Sequence, residues 1–147
     1  ILINKKGDLL GCLFYYCPDM SYRLRKAEII RSKYEIDALF DKGRNLRSGS
    51  LGIKILSTDT DKWPHLKFLI VVPKRRVKKA VDRNRLKRQL REVIRINKTA
   101  IENEALKSNK RLMIAVIYSG QSKSSYSRLE ASFTRMTQEI SNVVNKI

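Results

Sequence analysis

Histidine and cysteine are nearly missing from this 147-residue chain: it has one histidine, His65, and two cysteines, Cys12 and Cys17. A histidine-rich metal centre, a zinc ribbon and a disulfide framework therefore lack their parts. Nowhere does an apolar run approach the ~18 residues of a membrane-spanning helix, which excludes a helical integral membrane protein. The six glycines are scattered and form no phosphate-cradling loop. Acidic residues are also scarce, 14 against 32 Lys and Arg, and the net charge is +18. Asp37, Asp41, Asp59, Asp61, Glu102 and Glu104 are dispersed and flanked by lysines, so no carboxylate cage for a metal emerges. A Ser-His-acid site could use only His65, which stands beside Trp63 and Pro64 in an expected loop and reads as solvated. The chain supplies cations and hydrogen-bond donors but no nucleophile of its own. Any catalysis has to come from a partner.

Hydrophobic residues make up 42% of the chain, enough for a core, and the length fits one domain. A small domain with so large a positive field attracts polyanions, nucleic acid first among them. The charge is concentrated. Residues 74–95 hold 11 Lys and Arg with two acids, Asp82 and Glu92, a net +9. Apolar residues recur through this mid-chain run, which argues against a disordered basic tail.

Residues 1–21 stand apart as an N-terminal extension. Two lysines precede a short apolar stretch from Leu9 to Cys17, the order of a signal peptide. The stretch is short, however, and Tyr15 and Tyr16 occupy the place of small cleavage-site residues. A structural arm is a second reading. The favoured one is that translation starts at Met20 and the upstream residues are not native, or lack order.

Periodicity orders the rest. Residues 24–43 read as a helix, with Ile29, Ile30, Ile36, Leu39 and Phe40 near helical spacing and Gly43 as its stop; Ser32 and Glu35 suit a capping box that would start it. Residues 44–50 read as a polar loop. Leu51, Ile53 and Ile55 alternate as in a half-buried strand, and 57–64 reads as a turn-rich loop. The run Phe68–Val72 reads as a central strand, ended by Pro73. A helix capped by Asp82, or starting one turn earlier, runs to Arg95 or beyond. On it Leu86, Leu90, Val93 and Ile94 share one stripe, while Arg85, Lys87, Arg88, Arg91 and Arg95 fall on the other faces. Residues 97–110 are polar, with a short second helix expected near 100–106. Residues 112–118 read as a buried strand, parallel to 68–72. A last amphipathic helix carries Tyr126, Leu129, Phe133, Met136, Ile140, Val143 and Ile147, with Ser127 and Glu130 as its capping box. One sheet with helices packed on it is the economical architecture, and general rules favour a right-handed crossover.

Arginine on a helix can bind phosphate bidentately and is always charged. Arg83, Asn84, Arg85, Lys87, Arg88 and Arg91 span about two and a half turns, putting several backbone phosphates within reach. Asn84 is neutral within a basic run and offers donor and acceptor to a base edge, a ribose hydroxyl or a neighbouring side chain. Helix-turn-helix spacing and the aromatic strand motif of an RRM are missing.

The stretch from Ala80 to Glu92, AVDRNRLKRQLRE, resembles the RNR signature of the bacterial ribonuclease P protein subunit, a basic approach followed by A-V-x-R-N-R-x-K-R-x-x-R-E. Leu24-Arg25-Lys26, Leu39-Phe40 and Gly43 are similar to that family's first helix and its end. The likeness extends over about residues 22–144 and marks 22–147 as the family domain. It implies an α+β fold, a two-layer sandwich of one mixed sheet of about four strands with helices and a left-handed βαβ crossover. It implies a cytoplasmic ribonucleoprotein that removes the 5′ leader of precursor tRNA, with Mg²⁺ and the catalytic centre on the RNA subunit, no catalytic residue on the protein, no membrane and no small-molecule substrate. Carried onto this chain, the RNA-binding set is Lys74, Arg75, Arg76, Lys78, Lys79, Arg83, Asn84, Arg85, Lys87, Arg88 and Arg91. Ile36, Phe40 and Lys54 would line a leader cleft between the first helix and the sheet. Two departures stand out. The approach PKRRVKK is one residue longer than the family's common stretch and lacks its glycine, and Lys54 stands where the family often has an aromatic, which trades base stacking for phosphate attraction. Composition alone would equally allow a ribosomal protein or a DNA-binding accessory factor.

Overall fold

A computed structural model of the chain describes residues 24–59, 64–120 and 124–146. The N-terminal extension lies outside them. The order of elements is a 3₁₀ turn Lys26–Glu28, α1 (Lys33–Lys42), β1 (Arg44–Ser48), β2 (Leu51–Asp59), β3 (Leu66–Val71), α2 (Ala80–Lys107), β4 (Lys110–Tyr118) and α3 (Tyr126–Lys146). The strands form one mixed sheet in the order β1-β2-β4-β3. The neighbours β1 and β2, and β2 and β4, are antiparallel; β3 runs parallel to β4, joined through α2.

Strand alternation decides what each face meets. Leu51, Ile53 and Ile55 of β2, with Leu112, Ile114, Val116 and Tyr118 of β4, point into a core closed by α2 and α3. Helix α2 lies over β3 and β4, and α3 over β1 and β2. This is the expected sandwich of sheet against helices. On the opposite face Met113 and Ala115 join Ile30 and Leu39 in a smaller cluster, because α1 covers part of that face only.

Several sequence expectations are corrected. Residues 44–48 are a strand: Leu46 alone turns toward the main core, so the segment shows no alternation strong enough to read. The hairpin to β2 turns at Gly49, whose φ of 55° lies in the region glycine occupies without steric cost. The apolar strand β3 is an edge strand, not a central one. Its hydrophobicity has another cause: both faces are covered, and Ile30 N–H donates to Phe68 O at 2.8 Å, closing part of the open edge. Helix α2 continues unbroken to Lys107, because Ile101 and Ala105 extend its buried stripe beyond the basic run. Helix α1 does begin after Ser32, but the Ser32 side chain makes no cap bond. Glu35 instead accepts from Lys67 Nζ at 2.6 Å and lies 3.6 Å from Arg111, a stronger, charge-assisted partnership. Residues 24–32 are not helical apart from the 3₁₀ turn. Gly43 leads straight from α1 into β1, and a Cβ there would clash with the Leu39 carbonyl oxygen. Ser127 lies inside the first turn of α3, so it is no cap, and Val144 rather than Val143 completes the buried stripe. His65 is half-buried rather than solvated, and its Nδ1 has no partner among the described residues.

Among the described residues one ion pair is buried. Lys98 Nζ lies 2.7 Å from Glu28 Oε1, with side-chain exposures of 2% and 6%. Glu28 Oε2 also accepts from Arg25 N–H at 2.6 Å, so one carboxylate ties the 3₁₀ turn to the middle of α2. Removing one member of a buried pair strands the other charge, a typical cost of about 3–5 kcal/mol. Glu28→Ala is expected to lose stability of about that order in urea unfolding, while the paired change Glu28→Leu with Lys98→Met loses far less. Equal losses would show that packing, not charge pairing, holds the turn.

Candidate nucleic-acid interface

Helix α2 is long and amphipathic. Leu86, Leu90, Val93 and Ile94 are buried, as their spacing requires, at 2% exposure or less. Turning that stripe inward sends the polar positions out. Asn84, Arg85, Arg88 and Arg91 are exposed, Lys87 is half-buried, and none has a hydrogen bond or ion pair among the described residues. Asn84 lies well inside the helix, whose N-cap is Lys79, so capping does not account for it. Val81 is 78% exposed beside these cations, an apolar contact point within a charged surface.

Two arginines of the run leave this wall. Arg95 donates to both carboxylate oxygens of Glu92, at 2.9 and 2.6 Å. That hydrogen bonding holds the Glu92 carboxyl below its ordinary pKa against a small desolvation effect. Arg83 is half-buried, and its Nη1 donates to the carbonyls of Val77 at 3.1 Å and Lys78 at 2.6 Å. These carbonyls belong to the turn before the helix, where Arg76 and Val77 N–H also bond back to Pro73 O and the Val77 side chain is buried. Arg83 is thus first a brace for the approach to the helix. Its charge was legible in sequence; its partner was not, because the turn that supplies it is long for the pattern and has no glycine.

The braced turn leaves Lys74, Arg75, Arg76, Lys78 and Lys79 exposed. Arg75 and Arg76 do not continue the helical wall. They reach the opposite face of the sheet, where they line an open trough of about 570 Å³. Its floor is the part of the sheet that α1 leaves bare, including Gly52 and Ile117, and its far rim is Asn45 and Arg47 of β1. Neither Asn45 nor Arg47 has a partner among the described residues, and both are exposed. The sequence reading missed both, since it took 44–50 for a loop; Leu46 is the one apolar residue between them, too little of a pattern to place them.

Lys54 lines the trough too. Its ammonium donates to the carbonyl of Phe40 and stands 5.2 Å from the Phe40 ring centre, a cation–π distance. Lys54 is therefore engaged with Phe40 rather than held out as a bare charge. Phe40 remains 37% exposed at this wall. Ile36 is half-buried in the cluster under α1 and serves mainly to seat that helix. Among the described residues no three His, Cys, Asp or Glu side chains are grouped to hold a metal ion, and no helix is long and apolar enough to cross a membrane.

The arrangement is thus an outward cation wall on α2 and a cation-rimmed trough behind the sheet, joined by one braced turn. A family model described as ribonuclease P matches residues 24–146. The chain belongs to the ribonuclease P protein family. The ribonuclease P protein component of Chlorobium phaeobacteroides is 36% identical to it over 132 residues, 84% of this chain and 87% of that protein. That of Chlorobaculum tepidum is 35% identical over 102 residues, 65% of this chain and 66% of its own. The Staphylococcus aureus RNase P protein structure superposes with a TM-score of 0.62 at 21% identity, over 78% of this chain and 95% of that one. This last likeness bears on the fold: the three helices and four-stranded mixed sheet are those of an RNase P protein.

The two kinds of arginine should separate on mutation. Arg85→Ala with Arg88→Ala is expected to leave the thermal midpoint unchanged and to reduce the slope of log affinity against log salt for RNA by about 2, one per lost phosphate contact. Arg83→Ala is expected to cost about 1–3 kcal/mol of stability, the range for a lost charge-assisted bond. Equal thermal shifts for the two variants would refute this division.

Proposed function

We propose that this protein is the protein subunit of a ribonuclease P, binding the catalytic RNA with α2 and the 5′ leader of precursor tRNA in the trough. The observation that carries the reading is the pairing of two separate cationic surfaces on a single rigid turn. One polyanion needs one surface; two polyanions that must be held side by side need two. Arg85, Lys87, Arg88, Arg91, Lys78 and Lys79 supply the first, with Asn84 offering the neutral contact. Arg47, Arg75 and Arg76 supply the second, with Phe40 as an apolar wall.

The protein's work in this reading is electrostatic. Catalytic RNA and precursor tRNA repel each other, and a +18 chain between them lowers that cost. Each neutralised phosphate releases counterions, so affinity falls steeply with salt. Phosphate contacts position the RNA without reading its sequence. The residues described do not fit Mg²⁺, since their carboxylates are dispersed. We assign the metal and the bond cleavage to the RNA subunit and derive no step through them. The setting is the cytoplasm, where precursor tRNA is made in bacteria.

Adding the protein to its catalytic RNA at low Mg²⁺ is expected to stimulate 5′ cleavage of precursor tRNA; no stimulation would overturn the proposal. Phe40→Ala is expected to weaken precursor binding several-fold more than mature tRNA binding, on the scale of a lost aromatic contact of about 1 kcal/mol. Equal losses would remove Phe40 from the leader path.

A further inference from the structure

The turn ahead of α2 carries cations to both surfaces, and it does not hold its shape alone. Lys74, Arg75, Arg76, Lys78 and Lys79 are all exposed, and none is paired among the described residues. Like charges set this closely repel one another and favour an open chain. The turn has no glycine, and its own backbone bonds are local: Arg76 N–H and Val77 N–H both donate to Pro73 O, at 3.1 and 3.2 Å. The carbonyls of Val77 and Lys78 accept no backbone N–H of the described loops.

Arg83 takes up both. Its Nη1 donates to Val77 O at 3.1 Å and to Lys78 O at 2.6 Å. Arg83 stands one turn into α2, where its own N–H donates to Lys79 O at 3.1 Å. Helical side chains lean toward the N-terminus, so a long one at this position reaches the chain before the helix. The buried stripe of Leu86 and Leu90 seats α2 on the sheet, and Arg83 ties the turn to α2. Pro73, Arg75 and Arg76 then line the trough. Arg83 itself is half-buried, and a phosphate could reach its Nη1 only by displacing two charge-assisted bonds.

We propose that Arg83 is a positioning residue for precursor tRNA. It acts through Arg75 and Arg76, by holding the turn that sets them in the trough at a fixed place relative to α2, and it touches neither RNA. The proposal rests on the leader reading above and deepens it: an arginine within the run that faces the catalytic RNA serves the other surface.

The test uses the holoenzyme reconstituted with its catalytic RNA, well below the thermal midpoint of each variant. It measures affinity for precursor and for mature tRNA, whose ratio isolates the leader. Arg83→Ala is expected to lower that ratio about fivefold, the scale for residues coupled in one network. The slope of log affinity for the catalytic RNA against log salt should not change. Arg83→Lys keeps the charge, but its ammonium ends one bond short of the guanidinium nitrogen, so it should lower the ratio as Ala does. Arg75→Ala with Arg76→Ala should lower it too, and adding Arg83→Ala to that pair should lower it no further. Ile101→Val loosens the packing of the same helix away from the turn and should leave the ratio alone.

A salt slope reduced by about 1 in Arg83→Ala, or a wild-type ratio in Arg83→Lys, would make Arg83 a direct phosphate contact and overturn the positioning role. Additive losses in the triple variant, or an equal loss in Ile101→Val, would overturn it as well. If the Arg75 and Arg76 change lowers the ratio while Arg83→Ala does not, the leader reading stands without this proposal. If the Arg75 and Arg76 change leaves the ratio intact, both fall.

Discussion

Leu86, Leu90, Val93 and Ile94 form one stripe along α2, and its burial against β3 and β4 leaves the neighbouring cations no direction but outward. Fully burying such side chains contributes roughly 1.5–3 kcal/mol each. Burying an unpaired guanidinium costs several kcal/mol, so the helix has only one stable rotation about its axis. The wall formed by Asn84, Arg85, Arg88 and Arg91 is a consequence of that rotation. The same helix shows what burial of a charge demands: where Lys98 does turn inward, the carboxylate of Glu28 waits 2.7 Å away.

The seating of α2 also fixes the turn ahead of it. Val77 enters the core, Arg83 bonds the carbonyls of Val77 and Lys78, and the chain between Pro73 and Lys79 is held against the end of the sheet. Cations adjacent in sequence are thereby divided between the two sides of one sheet. Arg75 and Arg76 face the trough behind it, while Arg85 and Arg88 face outward in front. A domain of this size presents two cationic surfaces because a single braced turn carries charge around the sheet's end.

The trough exists because α1 is short. Its ten residues, Lys33–Lys42, cover the sheet around Met113 and Ala115 and stop at Gly43, before Gly52 and Ile117. An exposed strip of sheet is ordinarily a liability for edge pairing or aggregation. Here the outer strand β1 is short and carries Arg44 and Arg47, which discourage neutral partners and favour a polyanion. The Lys54–Phe40 contact joins helix to sheet at the boundary, so the wall of the trough and the packing of α1 are one feature.

Much of this was legible in the order of residues alone. The family resemblance is carried by the residues 80–92 themselves. The cation density of 74–95, the buried faces of α2 and α3, and the strand centres at 51–55, 68–71 and 112–118 follow from charge and periodicity, because each element's own pattern decides which side it buries. Residues 57–59, read as loop, instead prolong β2 through pairing with β4. What the chain order could not supply were relations between elements distant in sequence. That 44–48 pairs with β2, that apolar β3 stands at an edge shielded by Ile30, that Glu35 prefers Lys67 to its own helix end, and that Arg83 serves a turn rather than the outer wall are outcomes of tertiary competition. A hydrogen bond goes to whichever partner packing brings near, and only the folded arrangement decides who is near. Asn45, Arg47 and Gly52 came into view for the same reason: their shared face is created by sheet pairing, and no spacing along the chain announces it.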